Sequence, residues 1–252
     1  MKFYKENGYV ILNNLFSIEE TESIKDLLEQ HTTQDYNNIL NPDRYEFLIA
    51  QSYDKFSEMK SMRKKIEYIN TCKDTSDKIS LLLKDRRIVK VLESLYNKKF
   101  VGLSTHMIWK KPDTPFSNQA WAPHQDNSYA KNKNGLLVTI NLFLDDVTKE
   151  NGCIYNYPKS HTEGLLDYSN NVSWGNNKNP GNKVEVSNKY KKNDVVGKKG
   201  DVYIQHGNLI HGSYPNVSKS MRGMYSATYI VEGESFESGY NAMRKVIKIW
   251  LF

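Results

Sequence analysis

Residues 136–146 read LLVTINLFLDD, a short run of apolar and β-branched side chains closed on one side by Gly135 and on the other by two aspartates. Such a run, bounded by turn-forming residues, is the signature of a strand. Four more stretches share its character: FVGLSTHMIWKK at 100–111, CIYNYP at 153–158, GDVYIQH at 200–206 and GMYSATYIVE at 223–232. All lie after Phe100, so the second part of the chain is expected to be an all-β core.

The first hundred residues have a different period. After a short strand, YVIL at 9–12, the stretch SIEETESIKDLLEQ opens with Ser17 and Glu20 at capping-box spacing and carries Ile24, Leu27 and Leu28 on one helical stripe. Helical patterning continues at 58–69, 75–85 and 87–97, with a break near Asp85. Helices first and strands afterwards argue against alternating βαβ units and favour a sandwich or barrel flanked by packed helices. The organisation expected is one domain over 1–252. Residues 1–100 give mostly helical support, 101–232 the β core, and 233–252 a C-terminal segment. One polar, Asn-rich insert, 162–199, is far longer than an ordinary connection and reads as lid-like.

Composition narrows the function classes. Lys plus Arg number 35 against 29 Asp plus Glu, a net charge of +6, but the basic residues are scattered and form no arm or stripe. Nucleic acid is therefore not an expected partner. No run approaches the roughly 18 apolar residues of a membrane span, and no membrane partner is expected. Cys72 and Cys153 have no metal-site spacing and no disulfide-scaffold density. They are read as reduced, in a cytoplasmic protein. Nothing in the sequence sets the oligomeric state.

The chemistry concentrates in HQDNSY at 124–129. On a strand, residues two apart face the same way, so His124 and Asp126 would converge on one point. With one later histidine from another strand they would make a two-histidine, one-carboxylate set, which suits non-haem Fe(II) and leaves positions open. The stretch HGSYPNVSKSMR at 211–222 suggests which histidine. A hairpin turning at Asn216 and Val217 would set His211 opposite Arg222. The planar fork of an arginine there suits the distal carboxylate of a bidentate cosubstrate, and Ser213 would donate to the same group.

Taken together, NGYVILNNLFSIEE at 7–20, HQD, LDDVTKENGCIYNYPKSHTEG at 144–164 and GDVYIQHGNLIHGSYPN at 200–216 followed by Arg222 closely resemble the phytanoyl-CoA dioxygenase family. The likeness runs in order from about residue 3 to 230. It implies a mainly β fold, a double-stranded β-helix (a cupin-like jelly roll) with N-terminal helices buttressing one sheet. It also implies Fe(II), 2-oxoglutarate and O2 as cofactor and cosubstrates. The ligands implied are His124, Asp126 and His211, with Arg222 and Ser213 on the distal carboxylate of 2-oxoglutarate and Met107 and Asn141 lining its pocket.

The expected reaction is hydroxylation of an unactivated C–H bond in a small-molecule substrate, with release of succinate and CO2. The polar insert and basic balance point to a small, polar metabolite, and Trp109, Trp121, Tyr129 and Trp174 are candidate substrate contacts. Two rival readings are a jelly-roll binding protein without turnover and a cupin-type metal-dependent isomerase or epimerase. The His-x-Asp pair and the arginine favour the oxygenase over both.

Overall fold

Two antiparallel sheets face one another, and strand alternation decides what lies between them. The larger has six strands in the order β1-β7-β4-β9-β2-β10, and the smaller has four, β3-β8-β5-β6. In chain order the strands are β1 Tyr9–Leu12, β2 Phe100–Lys110, β3 Trp121–His124, β4 Leu137–Phe143, β5 Ile154–Asn156, β6 Asn193–Val195, β7 Val202–His206, β8 His211–Ser213, β9 Arg222–Val231 and β10 Ile247–Lys248. The helices are α1 Lys2–Asn7, α2 Ile18–Asp35 and α3 Arg86–Tyr96. This computed structural model describes residues 1–35, 82–110, 112, 120–169, 182–237 and 247–248, except for the side chains of 29–35, 104–107 and 247–248. The expected jelly roll is present, and the predicted helix at 58–69 and most of that at 75–85 lie outside the described residues.

The central strands of the large sheet, β4, β7 and β9, are buried on both faces, which is why they read as nearly continuous apolar runs. Their two faces nonetheless differ. Val138, Ile140 and Leu142 of β4, Val202 and Ile204 of β7, and Tyr225, Ala227 and Tyr229 of β9 join Leu28 of α2 and Ile88, Val89, Leu92 and Leu95 of α3 in one helix-facing core. The alternate residues, Phe143, Tyr203 and Met224, pack with Cys153, Ile154 and Val195 of the small sheet. Further along the same inward face come polar side chains, Thr139, Asn141, Gln205, Arg222, Ser226 and Thr228, all buried. A barrel with one apolar end and one polar interior follows from this pattern.

The buttress is held by capping chemistry. Ser17 and Glu20 form the expected capping box: the Glu20 amide donates to Ser17 Oγ (3.1 Å) and the Ser17 amide to Glu20 Oε2 (2.9 Å). Asp85 caps α3 by accepting from the Arg87 amide at 2.9 Å. Arg87 then ties the two helix starts together through Glu20 Oε2 (3.0 Å), the Leu15 carbonyl (3.1 Å) and the Phe16 ring. The four apolar residues that α3 buries contribute roughly 1.5–3 kcal/mol each, so packing, more than propensity, keeps this helix against the sheet.

The described parts of the 162–199 insert do not stand free. Leu166, Tyr168, Val186 and Tyr190 pack with Tyr155, Tyr157, Val184 and Ile210 on the outer face of the small sheet. β6 extends that sheet's edge beside β5.

Candidate metal centre

His124 closes β3, but Asp126 does not continue it. Asp126 opens a short 3-10 turn, Asp126–Tyr129, so the expected convergence along one strand is replaced by a strand end and a turn. The glutamine between them makes this corner rigid. Gln125 Nε2 donates to the carbonyls of Asn208 (2.7 Å) and Gly164 (2.8 Å), and its Oε1 accepts from the Leu166 amide (2.8 Å). Asn127 Nδ2 donates to Asn208 Oδ1 (2.8 Å) and to the Asn132 carbonyl (2.9 Å). The turn is thereby fixed to the loop that leads into β8.

His211 arrives from that loop. β3 and β8 are antiparallel neighbours with His124 opposite His211, and their ring centroids are 4.3 Å apart. Asp126 Oδ1 lies 3.7 Å from His124 Nε2 and 3.5 Å from His211 Nε2. The three residues offer ligand atoms within 4.8 Å of one another, a spacing that one ion with bonds of about 2.0–2.2 Å to nitrogen and oxygen can bridge. Among the described residues this is the only such group.

Donor chemistry agrees with the spacing. Nδ1 of His124 donates to the Ala122 carbonyl (2.8 Å) and Nδ1 of His211 to the Leu209 carbonyl (3.0 Å), so both rings present Nε2 as the acceptor, and that of His211 accepts from Gln205 Nε2 (3.0 Å), the group that also reaches Asp126. Asp126 Oδ2 accepts from Thr139 Oγ1 (2.6 Å) and Gln205 Nε2 (2.8 Å), which leaves Oδ1 facing the imidazoles. Burial, then the neighbouring His211, pushes the His124 imidazole down to about 4. Burial of Asp126 works against ionisation, but His211, His124 and the two hydrogen bonds outweigh it and hold the carboxyl below its ordinary range. A neutral His124 and an ionised carboxylate are the states that a cation needs.

The polar interior continues beyond the triad. Ser213 shares the His211 face of β8, two residues on. Arg222 opens β9 and is 1% exposed, with Nε and Nη1 buried and without a hydrogen-bond partner among the described residues. Burial pushes its guanidinium down to about 10. Two buried donors in a planar fork fit an incoming carboxylate. The predicted hairpin between His211 and Arg222 does not form: β8 pairs with β3 and β5, whereas β9 pairs with β2 and β4. The turn at Asn216 instead carries the chain from one sheet to the other. Arg222 and His211 therefore belong to opposite walls.

Asn141 projects into the interior from β4, paired with Tyr203 and Ser226, and its Nδ2 is buried without a partner among the described residues. Met107 stands opposite Tyr225 in the β2–β9 register, and its side chain lies outside the described residues. Trp121 and Tyr129 have ring centroids 5.8 Å and 6.1 Å from that of His124, and they border the site. Trp109 does not. It is packed in the helix-facing core, on the other side of the large sheet, because Lys110 takes the inward position beside it. Trp174 lies outside the described residues. Thr139 and Gln205 were missed in the sequence, although polar residues at period two inside the runs LVTINLF and VYIQH mark them as inward.

Residues 4–224 match the family model described as Phytanoyl-CoA dioxygenase (PhyH). The chain belongs to the phytanoyl-CoA dioxygenase family. Its cofactor is Fe(II), with 2-oxoglutarate and O2 as cosubstrates, and it is an enzyme of the Fe(II)/2-oxoglutarate-dependent class acting on a small molecule. Relatives in this family include "Phytanoyl-CoA dioxygenase" of Arabidopsis thaliana, 24% identical, with 93% of this chain and 88% of the relative covered. The chain is also similar to the "Probable alpha-ketoglutarate-dependent hypophosphite dioxygenase" of Stutzerimonas stutzeri, 25% identical over 87% of this chain and 73% of that one. The fold is shared with the epimerase SnoN, whose crystal structure holds Fe3+, alpha ketoglutarate and nogalamycin RO. That match has a TM-score of 0.62 at 17% identity and covers 94% of this chain and 84% of SnoN. No helix among the described residues of this family member is long and apolar enough to cross a membrane.

Proposed function

We propose that this enzyme hydroxylates an unactivated C–H bond of a small polar metabolite, and that His124, Asp126 and His211 hold its iron. The single observation that carries the reading is the arrangement of Asp126. Its Oδ2 is bound by Thr139 and Gln205 while Oδ1 faces the Nε2 atoms of both imidazoles. With iron bound, the Asp126 carboxylate would occupy the position that a halide would need, which favours oxygen chemistry over halogenation.

Bound iron with 2-oxoglutarate and O2 supplies the oxidising power, and the cosubstrate leaves as succinate and CO2. The protein's part is orientation and exclusion of water. His124 and His211 are held in one tautomer by backbone carbonyls, and Gln125 locks the corner that carries Asp126. Arg222 and Ser213, from opposite walls, would take the distal carboxylate of 2-oxoglutarate and leave its keto acid end for the triad. Asn141 lines the same pocket. Substrate enters on the side bordered by Trp121 and Tyr129, where Asn182 reaches Ser128 Oγ (2.9 Å) and its amide donates to the Tyr129 hydroxyl (3.2 Å). That rim of amide, hydroxyl and aromatic groups supports a polar substrate, and the Stutzerimonas relative is named for a small inorganic anion.

The test is 2-oxoglutarate consumption by the iron-loaded enzyme across panels of small polar metabolites and of acyl thioesters, with the product formed under 18O2. Faster consumption with a polar metabolite, and one 18O atom in the product, supports the proposal. Stimulation by acyl thioesters alone, or an isomerised product without 18O, refutes it.

A further inference from the structure

Lys110 is the least expected residue of the interior. It stands directly opposite Arg222 in the β2–β9 register, so the two side chains leave the large sheet on the same face. Both are buried, at 0% and 1% exposure. Neither has a carboxylate partner among the described residues. Of the acids that act on Arg222, the Cys153 thiol is pushed up to about 11 by burial, and Asp145 is already engaged by Lys25 Nζ (2.6 Å) and the Gly223 amide (2.8 Å).

Two cations side by side in a dry interior repel one another and lose hydration, an arrangement that folds remove or neutralise. Here it is built in. The chain gives way to the lysine stem at Gly152, where φ is +92° and an added Cβ would come within 2.8 Å of Lys110 Cδ and 2.9 Å of the Tyr214 carbonyl. The ammonium donates to Ser213 Oγ at 2.8 Å and to the Tyr214 carbonyl. Since the Ser213 oxygen accepts from Lys110, its own proton is directed elsewhere.

We infer that Lys110 is a positioning residue for 2-oxoglutarate: it sets Ser213 as a donor to the distal carboxylate and, with Arg222, makes a dicationic seat that demands a second negative charge on the cosubstrate. This rests on the placement of 2-oxoglutarate proposed above. Desolvation first, and then the Arg222 charge, push the Lys110 amine well below its ordinary range, and a carboxylate seated between the two groups would restore its charge. The seat discriminates between keto acids. 2-Oxoglutarate carries the distal carboxylate, whereas 2-oxobutyrate has the same keto acid end and nothing to place between the cations.

The experiment is anaerobic titration of Fe(II)-loaded protein with each keto acid, read as dissociation constants, for wild type, Lys110→Met and Lys110→Gln. Loss of one charge-assisted contact weakens 2-oxoglutarate by roughly tenfold to a hundredfold. Affinity for 2-oxobutyrate should not change, so the preference between the two collapses. Lys110→Gln keeps a donor toward Ser213 and Tyr214 and should show a smaller loss. The metal-free Lys110→Met protein should unfold at an equal or higher temperature than wild type, because the repulsion with Arg222 is gone. Wild-type affinity for 2-oxoglutarate in the variants, or equal weakening of both keto acids, would overturn the inference. A wild-type protein that binds neither keto acid would instead overturn the cosubstrate placement itself.

Discussion

Thr139→Val and Gln205→Leu each delete one of the two hydrogen bonds to Asp126 Oδ2, at 2.6 Å and 2.8 Å, and Gln205→Leu also removes the Gln205 Nε2 contact to His211 Nε2 (3.0 Å). Thr139→Val is nearly isosteric, so the cavity term is small and the lost bond dominates. A hydrogen bond to an ionised acceptor is worth about 1.5–3 kcal/mol, and a residue that supports a ligand from behind typically changes metal affinity by about 10–100-fold. The two scales agree, since about 1.4 kcal/mol is tenfold. We therefore expect the Fe(II) dissociation constant to rise about 10–100-fold in each variant. The double variant should lose less than the product of the two, because both donors act on one oxygen. The assay is anaerobic competition for Fe(II) against a coloured chelator, repeated with Co(II). If Thr139→Val and Gln205→Leu both bind metal as wild type does, the Oδ2 contacts do not orient Asp126 as a ligand and the reasoning fails.

Three further outcomes follow from the same geometry. Arg222→Met removes a fully buried fork with two unpaired nitrogens, so 2-oxoglutarate should bind roughly a hundredfold more weakly while calorimetric Fe(II) affinity is retained. Burial, then His161, pushes His206 down to about 4, below the ordinary 6.5. The unfolded chain then takes up the proton first, and stability should fall by up to about 3 kcal/mol as pH drops from about 6.5 to 4, with no change above pH 7 from this group. Denaturant titrations of wild type and His206→Asn across that range should show the smaller acid loss in the variant. Gly152→Ala forces a side chain to φ +92° against Lys110. It should lower stability by about 1–3 kcal/mol, measured by thermal unfolding, and weaken 2-oxoglutarate as Lys110 shifts.

Much of this was legible in the chain because local rules and the fold agree. The Ser17–Glu20 box, the Asp85 break and the apolar face of α3 form as their spacing dictates, and the strand runs after Phe100 become the strands of two sheets. That His124, Asp126 and His211 come together was legible as well, since imidazole and carboxylate are costly inside a β core without a task. The geometry of the triad was not. His-x-Asp reads as one strand face only if the strand continues, and here Gln125 binds three backbone groups and turns the chain at Asp126. The Pro215–Asn216 turn signal was correct, but no local rule says whether a turn joins neighbours in one sheet or passes between two. At 109–110 the usual expectation is inverted: the aromatic Trp109 faces the helices and the charged Lys110 faces the pocket. Alternation allowed either assignment, and only the pairing of Lys110 with Arg222 across β2 and β9 decides it.

The central claim is that the triad and the buried cations together hold iron and 2-oxoglutarate. Anaerobic titration of the metal-free protein with Fe(II) and then 2-oxoglutarate, followed in the visible for the weak charge-transfer band of a chelated keto acid, tests it most directly. The account predicts a band that saturates at one equivalent, is absent in Asp126→Ala, and needs far more 2-oxoglutarate in Arg222→Met. Stoichiometric iron without the band, or a band that survives Asp126→Ala, would contradict it.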